Sequence, residues 1–276
     1  MDKKKLGKIA LNIRKNAVTA VYSAGSGHPG GSLSIADILA YLYFEQMHVD
    51  ADNPYDENRD RFVLSKGHTA PAYYSALAEK GYFSKDEIIN FRKYDSFLQG
   101  HPDMKKVPGV DMSTGSLGMG LSAACGMALA ARINGKKYNV YAITGDGEIQ
   151  EGQIWEAAMF ASHYKLSNLC LFVDNNGLQI DGSVKDVMSP YPIDEKFASF
   201  GWNVINIDGH NFDEIEKACK CFEKSEKPMA VICRTIKGKG VSFMENQASW
   251  HGKAPNKEQY EQAMSELNDA LAALND

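Results

Sequence analysis

Residues 138–182, YNVYAITGDGEIQEGQIWEAAMFASHYKLSNLCLFVDNNGLQIDG, decide the fold. The segment opens on an apolar run, 138–144, and breaks at Gly145-Asp146-Gly147. It continues with helical spacing through Trp155, Ala158, Met159 and Ala161, then closes on a second apolar run, 169–174. The pattern reads strand, turn, helix, strand. A crossover of this length joins parallel strands in a right-handed βαβ unit, so both strands end at the same edge of the sheet. Ligands of open α/β sheets bind outside that edge. Asp146 follows the first strand end and Asn176 the second, so the two groups face one point although 30 residues separate them.

Taken singly, Gly-Asp-Gly and Asn-Asn-Gly are ordinary turn sequences. Paired at two strand ends, they offer a carboxylate from Asp146, an amide oxygen from Asn176 and a main-chain carbonyl just beyond. Such oxygen ligands suit Mg²⁺ or Ca²⁺, and Mg²⁺ is usually completed by water and phosphate oxygens. Gly145 and Gly147 allow a diphosphate to approach the backbone closely. A metal-bound diphosphate is the simplest reading.

The surrounding chain is that of an ordinary soluble globular protein. Its 276 residues are 44% hydrophobic and 24% charged, with a net charge of -5. No linker, internal repeat or low-complexity tract divides it, so residues 1–276 read as one domain. The acidic balance and lack of a basic patch argue against nucleic acid as a partner, and no apolar run is long enough to span a bilayer. The lysines at positions 3–5 precede an amphipathic pattern rather than a signal-peptide core. Five cysteines, three of them in apolar runs, read as buried thiols of a reducing, cytoplasmic setting. Cys219 and Cys221 fall on different sides of a helix and make a poor metal pair.

Toward the N-terminus, helix is expected over 3–24, a shaped glycine loop over 24–31 that presents His28, and helix again from Ser34. A short strand, 61–65, leads into Lys66-Gly67-His68. Ser84 and Glu87 form a capping-box pattern with Phe83 and Ile88 as the staple, which predicts a helix from Lys85. Gln99-Gly100-His101 adds a third glycine-flanked histidine. The glycine-rich run 113–120 looks built to lie against a ligand, and the small-residue helix 121–131 after it belongs either to the core or to an interface. Toward the C-terminus, helix is expected over 194–200, strand over 202–208, an Asn211-capped helix to Lys224, strand over 229–234, glycine-rich irregular segments at 237–240 and 249–253, and a helix over 257–274.

SGHPGGSLS, DRFVLSKGH, QGHPD, TGSLGMGLSAACGMALA, GDGEIQEGQIWEA, VDNNGLQIDG and DGHNF together resemble the N-terminal part of transketolase, and more closely the N-terminal chain of split, two-subunit transketolases. The resemblance implies the diphosphate-binding α/β fold of thiamine-diphosphate enzymes, a parallel sheet with helices on both faces. It implies transfer of a two-carbon ketol unit from a ketose phosphate to an aldose phosphate, with thiamine diphosphate carrying the hard step. Asp146, Asn176 and the Leu178 carbonyl would hold the metal, and His68, Gly145 and Gly147 the diphosphate. Gly115, Ser116 and Leu117 would line the coenzyme. Glu151 resembles a family glutamate at the subunit contact. His28, His101 and His251 would meet the sugar, although the segment SWHGKAP around His251 departs from the two-histidine segment usual in full-length transketolases. Imidazoles donate, accept and titrate near neutral pH, as handling a polyhydroxylated chain requires.

The pyrimidine-binding domain of the family, with its activating glutamate, is not among these residues. A companion chain carrying it is therefore expected, in a heterotetramer, together with the groups for the substrate phosphate, since no cationic cluster is evident in this sequence. Two other readings remain: the α chain of a 2-oxoacid dehydrogenase, which shares the GDG and NN signals but not the three glycine-framed histidines, and a non-catalytic coenzyme-binding subunit. Deoxyxylulose phosphate synthase is a weaker match around His28 and His101.

Overall fold

In the computed structural model, which describes residues 1–274, the predicted runs become β1 (Arg61–Leu64), β2 (Val140–Gly145) and β3 (Leu169–Asn175). A two-residue hairpin follows, β4 (Leu178–Gln179) with β5 (Gly182–Ser183), and then β6 (Asn203–Asp208) and β7 (Met229–Arg234). Among the described residues the main sheet runs β1-β2-β3-β7-β6, every pair parallel. Gly145 stands opposite Asp174, so Asp146 and Asn176 leave neighbouring strands at one edge, as the spacing required.

The helices are α1 (Lys3–Ala24), α2 (Pro29–Ser34), α3 (Ala36–Tyr41), α4 (Ala70–Lys80), α5 (Met119–Ile133), α6 (Gly152–His163), α7 (Val184–Met188), α8 (Ile193–Ser199), α9 (Phe212–Phe222) and α10 (Lys257–Ala273). Strand alternation divides the core between the two faces. Tyr141 and Ile143 of β2 pack with Ile13, Leu39, Leu77 and Ile215 from α1, α3, α4 and α9. Val140 and Ala142 pack on the other face with Ala128, Ala158 and Phe197 from α5, α6 and α8. Both faces are covered, which is why the central strands read as continuous apolar runs.

Two local expectations give way. The glycine loop shapes only Gly25 to His28, and Pro29 at the first helical position starts α2, which carries Gly30 and Gly31 inside a buried helix. The glycines are there for approach rather than for a turn: a Cβ on Gly30 would stand 2.8 Å from the Trp250 carbonyl oxygen, and one on Gly31 would stand 2.9 Å from Thr69 Cγ2. At 84–87 the capping box does not close. Ser84 Oγ accepts from the Asp86 N–H at 3.2 Å, but Glu87 turns to Asn90 and Phe83 stands against Phe97, leaving a 3₁₀ segment, Lys85–Asn90. The reciprocal box is found instead at Asn256 and Gln259, opening α10.

Candidate functional site

The loops leaving the C-terminal edges of β1, β2, β3 and β7 meet α2 around a cavity of about 470 Å³. His28, His68, His101, Gly115, Leu117, Gly145, Asp146, Gly147, Glu151, Asn176, Leu178 and His251 all line it. Ser116 does not; it lines a neighbouring groove with Met119 and Ser122, because the chain turns outward there before α5 begins.

Oxygen donors gather at one end. Asp146 is buried, and its carboxylate accepts from the Gly147 N–H at 2.8 Å and the Gly177 N–H at 2.6 Å. Burial first, and then the negative charge of Asp174, push its carboxyl up to about 7. Asn176 Oδ1 takes the Leu178 N–H at 3.1 Å, and the Leu178 carbonyl takes Lys237 Nζ at 3.2 Å. Beneath this set lies Asp174, fully buried, which accepts from Lys66 Nζ, Ser34 Oγ, Thr235 Oγ1 and Asn176 Nδ2. Burial would raise its pKa, but the Lys66 ammonium outweighs that and the carboxyl sits below its ordinary value. Glu148 braces the other side: its carboxylate accepts from Ser65 Oγ and, at 3.0 Å each, from the Gly118 and Gly145 N–H groups, pinning the start of α5 to the Asp146 turn.

Imidazoles occupy the other end. The His28 ring stands edge-on to His68 and His251 at centroid distances of 5.0 and 5.4 Å, and His68 stacks on His251 at 5.1 Å. His251, whose segment departs from the usual pattern, thus joins the same cluster. His101 lies against the glycine loop, where a Cβ on Gly115 would stand 3.2 Å from its ring. Burial, then Arg92, His101 and Lys237, lower His28 to about 4; burial, then Lys237, lower His251 to about 3. His68 is held well below its usual value by burial and the charge of Lys66, and His101 is lowered by burial and Arg92. All four rings are therefore neutral at pH 7, each with one donor and one acceptor nitrogen. His28 Nδ1 is buried with no hydrogen-bond partner among the described residues.

Sequence reading missed the two cations between these ends. Lys66 and Lys237 are each 2% exposed, and both line the cavity. The Lys237 ammonium reaches His251 Nδ1 at 3.0 Å as well as the Leu178 carbonyl, and burial and the charge of Lys66 lower it to about 8. Lys66 and Lys237 are remote in sequence and meet only through the fold, beside the oxygen donors rather than at a separate substrate-phosphate site. Their signal was available, because each follows a strand end at the ligand-binding edge, the same rule that picked out Asp146 and Asn176.

Residues 6–268 match the family profile of the transketolase thiamine diphosphate binding domain. The chain belongs to the transketolase family. It is 46% identical over 256 residues to the 6-deoxy-6-sulfo-D-fructose transketolase subunit SqwG of Clostridium sp. (strain MSTE9), covering 92% of this chain and 93% of that protein. It is 42% identical to an apulose-4-phosphate transketolase subunit of Phocaeicola vulgatus, covering 95% and 93%. Human transketolase is 43% identical, but the match covers 94% of this chain and 41% of the human one. The transketolase of Campylobacter jejuni superposes with a TM-score of 0.91 at 32% identity, covering 99% of this chain and 46% of the other. The chain thus spans under half of these full-length transketolases and nearly all of a transketolase subunit, corresponding to the N-terminal, coenzyme-binding part of the family. These relatives do not favour the 2-oxoacid dehydrogenase reading.

The donor set fits the coenzyme. A buried carboxylate raised to about 7 lacks a counter-charge at its own oxygens, and an amide and a main-chain carbonyl stand beside it, the ligand types of a hard cation. Gly147 leaves room that a Cβ would fill, 3.1 Å from Gln179 Cβ. Two buried ammonium groups face the same space, suited to the charge of a diphosphate.

Proposed function

We propose that this chain is the coenzyme-binding subunit of a two-chain transketolase that moves a two-carbon ketol unit from a ketose phosphate to an aldose phosphate. The observation that carries the reading is the division of one cavity into an oxygen-and-ammonium end and an imidazole end. Asp146, Asn176 and the Leu178 carbonyl hold Mg²⁺, or Ca²⁺ in its place. Lys66, Lys237, His68 and the backbone at Gly145 and Gly147 receive the diphosphate. Gly115 and Leu117 line the ring portion, with Ser116 shaping the loop from outside. Thiamine diphosphate supplies the carbanion-stabilising chemistry that lets a carbon–carbon bond next to a carbonyl break and form. His28, His101 and His251, neutral at working pH, accept and donate hydrogen bonds to the sugar hydroxyls. His28, which lines the cavity and is neutral at working pH, moves the hydroxyl proton as the bond is cleaved.

The companion chain brings the pyrimidine-binding domain and the groups for the substrate phosphate. An exposed apolar rim supports such a partner. Leu117, Ile180, Met119 and Met188 are 38%, 62%, 53% and 65% exposed, and Phe160 flanks a groove between α5 and α6 where a Cβ on Gly126 would meet nothing within 4 Å. Helix α5 therefore serves both alternatives raised by its small residues, core on one side and rim on the other. Glu151 is exposed beside this rim, as a residue at a subunit contact would be. Two copies of each chain form the heterotetramer. The unpaired cysteines support a reducing, cytoplasmic setting. The relatives named for sulfofructose and apulose phosphate show that the family's substrates vary, so pentose phosphates are the first donors to try rather than the last.

The test is ketol transfer from xylulose 5-phosphate to ribose 5-phosphate with thiamine diphosphate and Mg²⁺, in this chain alone and in the complex purified from its source. Turnover in the complex alone is expected. A complex that binds the coenzyme but transfers nothing from a panel of ketose phosphates would overturn the reading.

A further inference from the structure

His28 and His101 sit on separate loops, each directly after a glycine. The pair Phe91-Arg92 lies between those loops. A Cβ on Gly27 would stand 3.3 Å from Phe91 Cε1, and one on Gly100 would stand 2.9 Å from Arg92 Nε, so each loop forgoes a side chain where one member of the pair packs. Arg92 Nη1 donates to Ser26 Oγ, beside the first loop's glycine. The Arg92 main-chain N–H donates to the Leu98 carbonyl at 2.8 Å, at the start of the second loop. One residue thus bonds both. Phe91 is buried and stands edge-on to Tyr74, whose hydroxyl lies 2.9 Å from the carbonyl oxygens of Gln99 and His101.

Arg92 adopts φ +62°, in the left-handed region that residues with a Cβ avoid. Its Nε is buried without a partner, and among the described residues no carboxylate pairs with its guanidinium. Strain of this kind persists only where the surroundings over-determine it, and it collects at functional sites. The strain, the unpaired cation and the two loop contacts coincide at one residue.

We propose that Arg92 is a positioning residue for the donor sugar, fixing the spacing of His28 and His101 so that the two rings meet the sugar as one unit. The proposal rests on the ketol-transfer reading. The guanidinium charge acts in the same direction. His28 faces Arg92, His101 and Lys237 as well as the His68 and His251 rings, and His101 faces Arg92; after burial, Arg92 is the next cause lowering both imidazoles.

The experiment compares wild type, Arg92→Gln and Arg92→Lys in the complex with the companion chain. Arg92→Gln is expected to raise KM for xylulose 5-phosphate about tenfold with kcat little changed and calorimetric thiamine diphosphate affinity within about twofold. The acid limb of kcat/KM moves up by about half a pH unit, since without the cation the imidazoles protonate at higher pH. Arg92→Lys, the variant to rely on if Arg92→Gln does not fold, keeps the acid limb and still raises KM, because the guanidinium bond to Ser26 is lost. Unchanged KM and acid limb in Arg92→Gln overturn the proposal, as does a parallel loss of coenzyme affinity in both variants, which marks a general scaffold residue. If the wild-type complex binds the coenzyme yet turns over no ketose phosphate, the ketol-transfer reading has failed on its own. NMR of the two imidazoles then decides: a changed His28–His101 ring spacing in Arg92→Gln supports the positioning role, and an unchanged spacing overturns it.

Discussion

At one end of the cavity, Asp146 and Asn176 leave adjacent parallel strands and rest on Asp174, which is tied to α2 through Ser34, to the β1 loop through Lys66 and to the β7 loop through Thr235. At the other end, His28, His101 and His251 stand on irregular segments, and among the described residues His28 Nδ1 has no hydrogen-bond partner. The difference suits the tasks proposed for the two ends. A metal and a diphosphate need fixed oxygen and ammonium positions, which strand ends and a buried ion pair supply. A sugar needs groups with unspent hydrogen-bonding capacity, and among the described residues the His251 ring has one nitrogen engaged, at Nδ1 with Lys237.

The largest expected effect separates the two ends. Asp146→Ala removes the charged ligand and is expected to weaken Mg²⁺-dependent thiamine diphosphate binding by about a hundredfold or more in the assembled complex. Calorimetry showing unchanged affinity would break the assignment of that end. Next, Lys66→Met leaves Asp174 buried and unpaired, a loss of about 3–5 kcal/mol in stability, seen as a fall in Tm of about 10 °C. Adding Asp174→Leu is expected to return most of that stability while coenzyme affinity stays low, because Lys66 no longer meets the diphosphate and Asn176 has lost its support. A double variant with restored affinity would show that both Lys66 and the brace serve folding alone.

The sheet was legible because both of its faces are covered, so the strands appear as apolar runs and Asp146 and Asn176 as the polar residues that end them. The histidines were legible through their glycine frames and the resemblance those frames carry. Lys66, Lys237 and Arg92 were not given roles, since a lysine or arginine in a polar or glycine-containing stretch looks like solvated surface until a partner remote in sequence closes over it. Gly30 and Gly31 misled for a related reason: glycine signals either a turn or a close approach, and Trp250 and Thr69, the residues that they approach, lie on other elements. Ser116 was placed at the coenzyme by adjacency, and the outward turn before α5 moves it into the next groove.

His101→Ala probes the imidazole end and is expected to have a smaller effect than either change above. Loss of one hydrogen bond to the donor corresponds to about 1–2 kcal/mol, or about a 5- to 30-fold rise in KM for the ketose, with coenzyme affinity retained. Steady-state kinetics and calorimetry on the same complex check both halves. Equal loss of donor and coenzyme binding would erase the distinction between the ends, making His101 a structural support for the Gly115 loop that it touches.

The smallest effect concerns what holds the Lys237 segment from behind. Asp37 is buried and accepts from Arg14 and, at 2.7 Å, from His210 Nδ1. His210 Nε2 accepts the Ile236 N–H at 3.0 Å, which fixes the hydrogen on Nδ1 and ties the residue before Lys237 to α3. Burial works against ionisation of Asp37, but Arg14 first and His210 after it outweigh burial and lower its carboxyl from 3.8 to about 2. A depressed carboxyl stabilises the fold above its unfolded pKa, and that contribution is lost as pH falls through the folded value. The shift corresponds to about 2 kcal/mol, present in full above about pH 5 and fading between about pH 4 and 2. Asp37→Asn is therefore expected to be less stable than wild type near pH 6, with the gap in denaturant midpoint closing below pH 4. A gap of constant size down to pH 2 would mean that the carboxylate's charge is irrelevant there, leaving shape alone to hold the cationic end of the site against the sheet.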